Sequence, residues 1–235
     1  MKEFIVKVIL LLMILGIGNS AKSGDNKINY DIIQKKYTDI PASASLKVRK
    51  IALNAAVKVI QKETGSYGSG SYTRIGGSFY ILTAAHVVDG FKVLSIQNGY
   101  EVVLGKVVYK DDKHDIAILK VKQMTSRVPL KYKISDVQDR PGETVLYAGY
   151  PNDHDLLLFF GNIAGRSDGV VFMHSYAWMG SSGSVVLDLK GKIVGILSAV
   201  DVGGAFGRPQ IVEDVVWVTD ARSIDLEKIK TIPTL

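Results

Sequence analysis

The chain has 235 residues, 47% of them hydrophobic and 22% charged, a balance that fits a folded globular protein and excludes a disordered one. Cysteine is absent, which removes disulfides, thiolate metal sites and a cysteine nucleophile together. The formal charge is +6, yet the basic residues are scattered, with no arginine cluster or aromatic-interleaved patch, so no nucleic-acid partner is expected.

The N-terminus reads MKEFIVKVILLLMILGIGNSAKSG. Lys2 and Lys7 give it a positive front, and the apolar run from Val8 to Gly18 falls short of the ~20 residues that span a bilayer. Small residues follow at Gly18, Ser20 and Ala21. Residues 1–21 therefore read as a signal peptide or, if uncleaved, a short anchor. A secreted or periplasmic location is expected, with membrane contact only during export or through that anchor. Residues 22–45 form a polar leader.

The main domain is expected over 46–222. SASLKVRKIALNAAVKVIQ opens with serines able to cap a short helix and ends in a strand-like run, Ala56 to Gln61. In GSYGSGSYTRIGGSFYILTAAHVV, glycine-rich turns separate short β-branched and aromatic runs. FKVLSIQ, EVVLGKVVY, IAILKV, TVLYAGY, VVFMHSY, SVVLDL, KIVGILSAV and VVWVTD are further strand candidates. Short strands at this spacing predict an all-β sandwich or barrel. Lys122 to Glu143 alternates little, carries two prolines and reads as a connector between a first half, 46–125, and a second, 135–222. A single sandwich is the competing architecture. ARSIDLEKIK reads as a helix, and with the tail at 223–235 no peptide-binding domain of the PDZ kind is expected.

Three stretches carry candidate chemistry. ILTAAHVV sets His86 at the end of an apolar strand, where a lone histidine is more often structural. HDIAILKV sets Asp115 at the head of another strand, where it could simply cap. MGSSGSVV sets Ser182 between Gly180 and Gly183, either in a plain turn or in a bend that presents a hydroxyl. A serine needs a base to become a nucleophile, so the three gain meaning together. Their chain order, His then Asp then Ser, is one of the known triad orders.

On these motifs the sequence resembles trypsin-like, chymotrypsin-fold serine peptidases, in particular compact bacterial members of the HtrA/DegP or V8-like type. The likeness covers about Leu46 to Ile224 and includes GYPNDHDLLLFFGNIAG and GKIVGILSAV. It implies two six-stranded antiparallel β-barrels with a short C-terminal helix. It also implies a catalytic triad of His86, Asp115 and Ser182, an oxyanion hole from the amides of Gly180 and Ser182, and no metal or cofactor. The pocket base would fall at Tyr176 and a wall at Ser198, Ala199 and Val200, favouring an uncharged, apolar residue before the scissile bond. The implied partners are protein or peptide substrates.

The sequence also departs from that pattern. Ser181 stands where the family has Asn or Asp, and Ser184 and Val185 replace Gly-Pro. Leu197 replaces the histidine by which V8-like enzymes read glutamate. These changes keep open a second reading, a weakly active or inactive protease-like protein-binding module. Of the other histidines, His114 is expected at the surface, His154 in a polar loop, and His174 near the pocket at most.

Overall fold

The computed structural model describes residues 42–205 and 208–230. The expected signal peptide and the leader up to residue 41 lie outside them. Helix α1, Ala42–Ala55, contains no glycine or proline and buries Val48, Ala52 and Ala55, a three-to-four residue spacing that makes one apolar face. It crosses the leader boundary expected at 45. The pattern then shifts to the period of two that strands require.

In the first half the strands are β1 (Ala56–Ile60), β2 (Tyr67–Ile75), β3 (Ser78–Thr83), β4 (Val93–Asn98), β5 (Glu101–Asp111) and β6 (Ile116–Val121). They pair in the order β1-β4-β5-β6-β3-β2, and β1 also pairs with β2, which closes the ring. The second half holds β8 (Thr144–Gly149), β9 (Leu157–Ser167), β10 (Val170–His174), β11 (Val185–Asp188), β12 (Ile193–Ala205) and β13 (Arg208–Asp220). These close a second barrel in the order β10-β13-β12-β11-β8-β9. Two closed antiparallel rings replace the single-sandwich alternative. Hairpin chemistry explains the local pairing. Gly76 and Gly77 between β2 and β3, and Asp168 and Gly169 between β9 and β10, all take positive φ, as a two-residue type I′ turn demands.

Alternation divides the core. Val145 and Tyr147 of β8 face the interior of the second barrel with Ile163, Val171, Met173, Val186 and Val218. Leu146 and Ala148, their neighbours, face the other way and join Val185, Leu187 and Ile196 in the core that includes Tyr72, Ile81, Leu82 and Ile118 of the first barrel. The barrels thus share an apolar seam made from the outer face of β8, β11 and β12.

Some elements differ from their sequence reading. The connector holds β7 (Leu130–Lys131), parallel to β2, and Ile134 bridges Ile193. The stretch expected as one C-terminal helix is split into a 3-10 turn, Ala221–Ser223, and α2 (Leu226–Lys230). The cause is Asp220, fully buried, whose carboxylate accepts from the Arg222 amide at 2.9 Å and starts the tighter turn.

Backbone crowding yields a direct test. A Cβ on Gly195 would lie 2.2 Å from the Thr219 carbonyl oxygen and 2.6 Å from Val218 Cγ1, whereas one on Gly165 would meet nothing within 4 Å. Gly195→Ala is expected to cost about 1–3 kcal/mol through overpacking, and Gly165→Ala much less. Urea denaturation monitored by tryptophan fluorescence checks the pair.

Candidate active site

β3 ends at Thr83, and the 3-10 turn Ala85–Val88 swings His86 outward while Ala85, Val87 and Val88 stay buried. The Gln61 side-chain amide donates to the Val87 carbonyl at 2.9 Å and ties this turn to the end of β1. Asp115 stands just before β6, at φ 55°, in the left-handed region that a non-glycine residue rarely occupies. Such strain persists where surrounding contacts over-determine it. Here the Asp115 carboxylate accepts from the His86 backbone amide at 2.9 Å, and His86 Nδ1 lies 2.9 and 3.0 Å from its two oxygens. The Ser198 hydroxyl is a further donor to Oδ2.

The electrostatics follow from that arrangement. Burial alone would raise the Asp115 carboxyl, but the bonds and charge of His86 and the Ser198 hydroxyl outweigh it and hold the group below the usual carboxylate range. The Asp115 side chain is 25% exposed and that of His86 49%, so the pair has one sheltered member and one open to a ligand.

Ser198 reaches Asp115 because of a β-bulge. β12 pairs with β13 at Leu197↔Val218 and next at Ala199↔Trp217, leaving Ser198 as the extra residue. A bulge re-aims a side chain, and this one turns a hydroxyl from the sheet towards the carboxylate. The sequence reading placed Ser198 only in the cleft wall. A bulge leaves no mark in composition or alternation, so this contact was not legible there.

The serine-rich stretch forms two successive turns that share Ser181. The Ser181 amide donates to the Trp178 carbonyl at 2.9 Å, and the Ser184 amide to the Ser181 carbonyl at 3.1 Å. Gly180 and Gly183, at φ 91° and 89°, take the third position of each, where a type II turn needs positive φ. Neither tolerates a Cβ. On Gly183 it would lie 2.2 Å from both the Ser69 carbonyl oxygen and Thr83 Oγ1. Ser181, fully buried, accepts from the Trp178 amide at 3.3 Å and so braces the first turn from within.

These turns decide which amides are free. In a trans peptide the C=O and N–H point in opposite directions. The Met179 carbonyl accepts from Asn152 N–H at 2.7 Å and the Ser181 carbonyl from Ser184 N–H, so the amides of Gly180 and Ser182 point away from both donors. Among the described residues neither amide has a partner. The loop is sewn to β12 by the Gly183 amide to the Leu197 carbonyl, 2.7 Å, and the Leu197 amide to the Ser184 carbonyl, 2.8 Å.

Other candidates lie as follows. The Ser182 side chain makes no hydrogen bond to the His86 ring. Tyr176 is 51% exposed, its ring 5.5 Å from that of Phe159, and its carbonyl accepts from the Tyr147 hydroxyl at 2.6 Å. Ala199 and Val200 are half-buried on β12. His114, expected at the surface, is half-buried, with Nδ1 2.7 Å from the Asp111 carboxylate.

A family model for the trypsin-like peptidase domain matches residues 68–196. A probable periplasmic serine endoprotease of DegP-like type from Marinomonas sp. is 30% identical over 149 residues, covering 60% of this chain and 31% of that protein. A Do-like HtrA serine protease from Bacillus subtilis is 33% identical over 154 residues, 58% of this chain and 34% of that protein. The chain thus spans about a third of the length of the curated relatives it matches. Among solved structures, the inactive form of the Rv3671c protease from M. tuberculosis matches with a TM-score of 0.62 at 20% identity, over 83% of this chain and 97% of that one. The serine endoprotease from Yersinia pestis matches with a TM-score of 0.63 at 20% identity, over 82% of this chain and 69% of that one.

The Asp115 carboxyl makes stability depend on pH with a definite sign. Its native value is depressed, so the unfolded chain takes up the proton first as pH falls. The contribution is complete above the unfolded value of about 4 and is lost as pH drops through the native one. Asp115→Asn is expected to melt below the wild type at about pH 7, with the gap closing towards about pH 3. Differential scanning calorimetry across that range checks it.

Proposed function

The chain belongs to the trypsin-like peptidase family, and on that premise we propose that it is a serine endopeptidase acting through an acyl-enzyme. Ser182 is the nucleophile, His86 the general base and then acid, and Asp115 the group that orients and charges the imidazole. The observation that carries this reading is the His86–Asp115 pair beside a turn with two free amides. Either feature alone occurs in proteins with no catalysis.

This reading implies the following steps. As Ser182 Oγ adds to the substrate carbonyl carbon, its proton passes to His86 Nε2, and the carbonyl electron pair moves onto oxygen. Nδ1 is held by Asp115, which selects the tautomer with Nε2 free and stabilises the imidazolium that forms. The amides of Gly180 and Ser182 donate to the oxyanion, an interaction whose loss typically costs ~10²–10³ in turnover. Collapse expels the amine, which takes the proton from His86, and leaves an ester on Ser182. Water then loses a proton to His86 and adds to the ester carbonyl, and collapse breaks the bond to Ser182 Oγ, which takes the proton back from His86 as the acid leaves.

Tyr176, Ala199 and Val200 supply no charge to a specificity pocket beside Ser182. An unpaired substrate charge desolvated there would cost several kcal/mol (roughly), so an apolar residue before the scissile bond is preferred. The substrates are proteins or peptides outside the cytoplasm; the periplasmic relatives and the sequence of residues 1–21 support that location.

A protein-binding module of low turnover is the second reading, favoured by the absence of a bond between Ser182 and His86. Such bonds are commonly long without substrate and tighten on binding, so the missing bond is compatible with the enzyme. Labelling by a fluorophosphonate probe separates the two. The wild type, Ser181→Ala and Ser184→Ala are expected to take the probe, and Ser182→Ala to lose it. Absence of labelling in the wild type sustains the binding module, and labelling that survives Ser182→Ala moves the nucleophile elsewhere.

A further inference from the structure

The loop after β8 holds backbone strain with no glycine to relieve it. Asn152 and Asp153 are both left-handed, at φ 48° and 58°. Strained conformations persist only where other contacts over-determine them. Here the strain delivers one donor, the Asn152 amide, to the Met179 carbonyl at 2.7 Å. Because the following peptide is trans, that bond sets the direction of the Gly180 N–H.

The contacts that hold the loop come from the first barrel. The Asp153 amide donates to the Tyr67 hydroxyl at 2.6 Å. Lys58 Nζ lies 3.9 Å from the Asp153 carboxylate and 3.6 Å from the centre of the Tyr67 ring. The Asp153 side chain is 84% exposed, so solvent screens the ion pair, and the ammonium over the ring is the firmer hold. The same ring flanks the turn: a Cβ on Gly180 would lie 2.8 Å from Tyr67 Cε2. β1 and β2 therefore close on a loop and a turn of the other barrel with two side chains.

We propose that Tyr67 and Lys58 are positioning residues for the oxyanion turn. They clamp Pro151–Asp153 so that Asn152 keeps the Met179 carbonyl turned aside and the Gly180 amide free. The proposal rests on the peptidase reading above. Neither residue is needed to hold the ground-state substrate, so their loss lowers turnover and leaves binding unchanged.

The test uses the full chain, labelled casein as substrate and a fluorophosphonate probe. Tyr67→Phe keeps the ring and removes the oxygen. It is expected to lower kcat on the order of tenfold at unchanged KM, a fraction of what loss of a whole oxyanion donor costs, and to slow probe labelling by the same factor. Lys58→Met is expected to lose less in the same direction, and Lys58→Arg, which keeps the cation over the ring, to recover the wild-type rate. Unchanged kcat in both Tyr67→Phe and Lys58→Met, or a rise in KM alone, overturns the proposal. If Tyr67→Phe melts early, Lys58→Met decides the matter from a half-buried side chain outside the core. A wild type that takes no probe defeats the peptidase reading itself, a result distinct from equal labelling of wild type and variants.

Discussion

Four hydrogen bonds converge on Ser69, and the placement of the Ser182 turn against the strand leading to His86 depends on them. Its amide donates to the Ser182 carbonyl at 2.8 Å, and its hydroxyl donates to the Gly180 carbonyl at 2.7 Å. That hydroxyl also accepts from the Tyr150 amide at 2.9 Å, while its carbonyl accepts from Thr83 Oγ1 at 2.7 Å. Thr83 ends the strand that leads to His86, so one fully buried residue ties the turn of Ser182 to the strand before His86. Loss of the hydroxyl would strand a carbonyl and an amide away from water, which costs more than the bonds contribute when made. Glycine provides the clearance. A Cβ on Gly68 would lie 2.6 Å from Val87 Cγ2 and 3.0 Å from the Ser182 carbonyl oxygen.

Around this junction, departures from regular backbone do the aiming. Asp115 is left-handed and faces His86, the bulge at Ser198 points a hydroxyl at the same carboxylate, and two glycine turns free a pair of amides. The apolar seam between the barrels supplies the rigidity that lets these irregular pieces persist. The strained groups lie at the surface of that seam, where loops of both barrels meet.

The parts of this arrangement that leave a local trace were legible in the sequence. Short β-branched and aromatic runs gave most strands, glycine-rich turns marked their ends, and ILTAAHVV, HDIAILKV and MGSSGSVV brought forward the three candidate residues. The departures at Ser181 and Ser184 raised doubt about the turn. The structure shows Ser181 bracing it, while the Ser184 hydroxyl is buried without a partner among the described residues. What the sequence hid is non-local. Ser69, Tyr67 and Lys58 look like ordinary strand residues, because their partners lie on another barrel. The Ser198 bulge depends on the register of β12 against β13, and the break after Ala221–Ser223 depends on a carboxylate buried by the whole fold.

The central claim is that Ser182 attacks while the amides of Gly180 and Ser182 hold the resulting oxyanion. A crystal structure of the protein with a peptide boronic acid tests it most directly, since the tetrahedral boronate mimics that intermediate. The account predicts boron bonded to Ser182 Oγ, one boronate oxygen within hydrogen-bond reach of both amides, and His86 Nε2 facing the other. Boron on a different side chain, or a Gly180 amide turned away from the boronate with the Met179 carbonyl in its place, would contradict it.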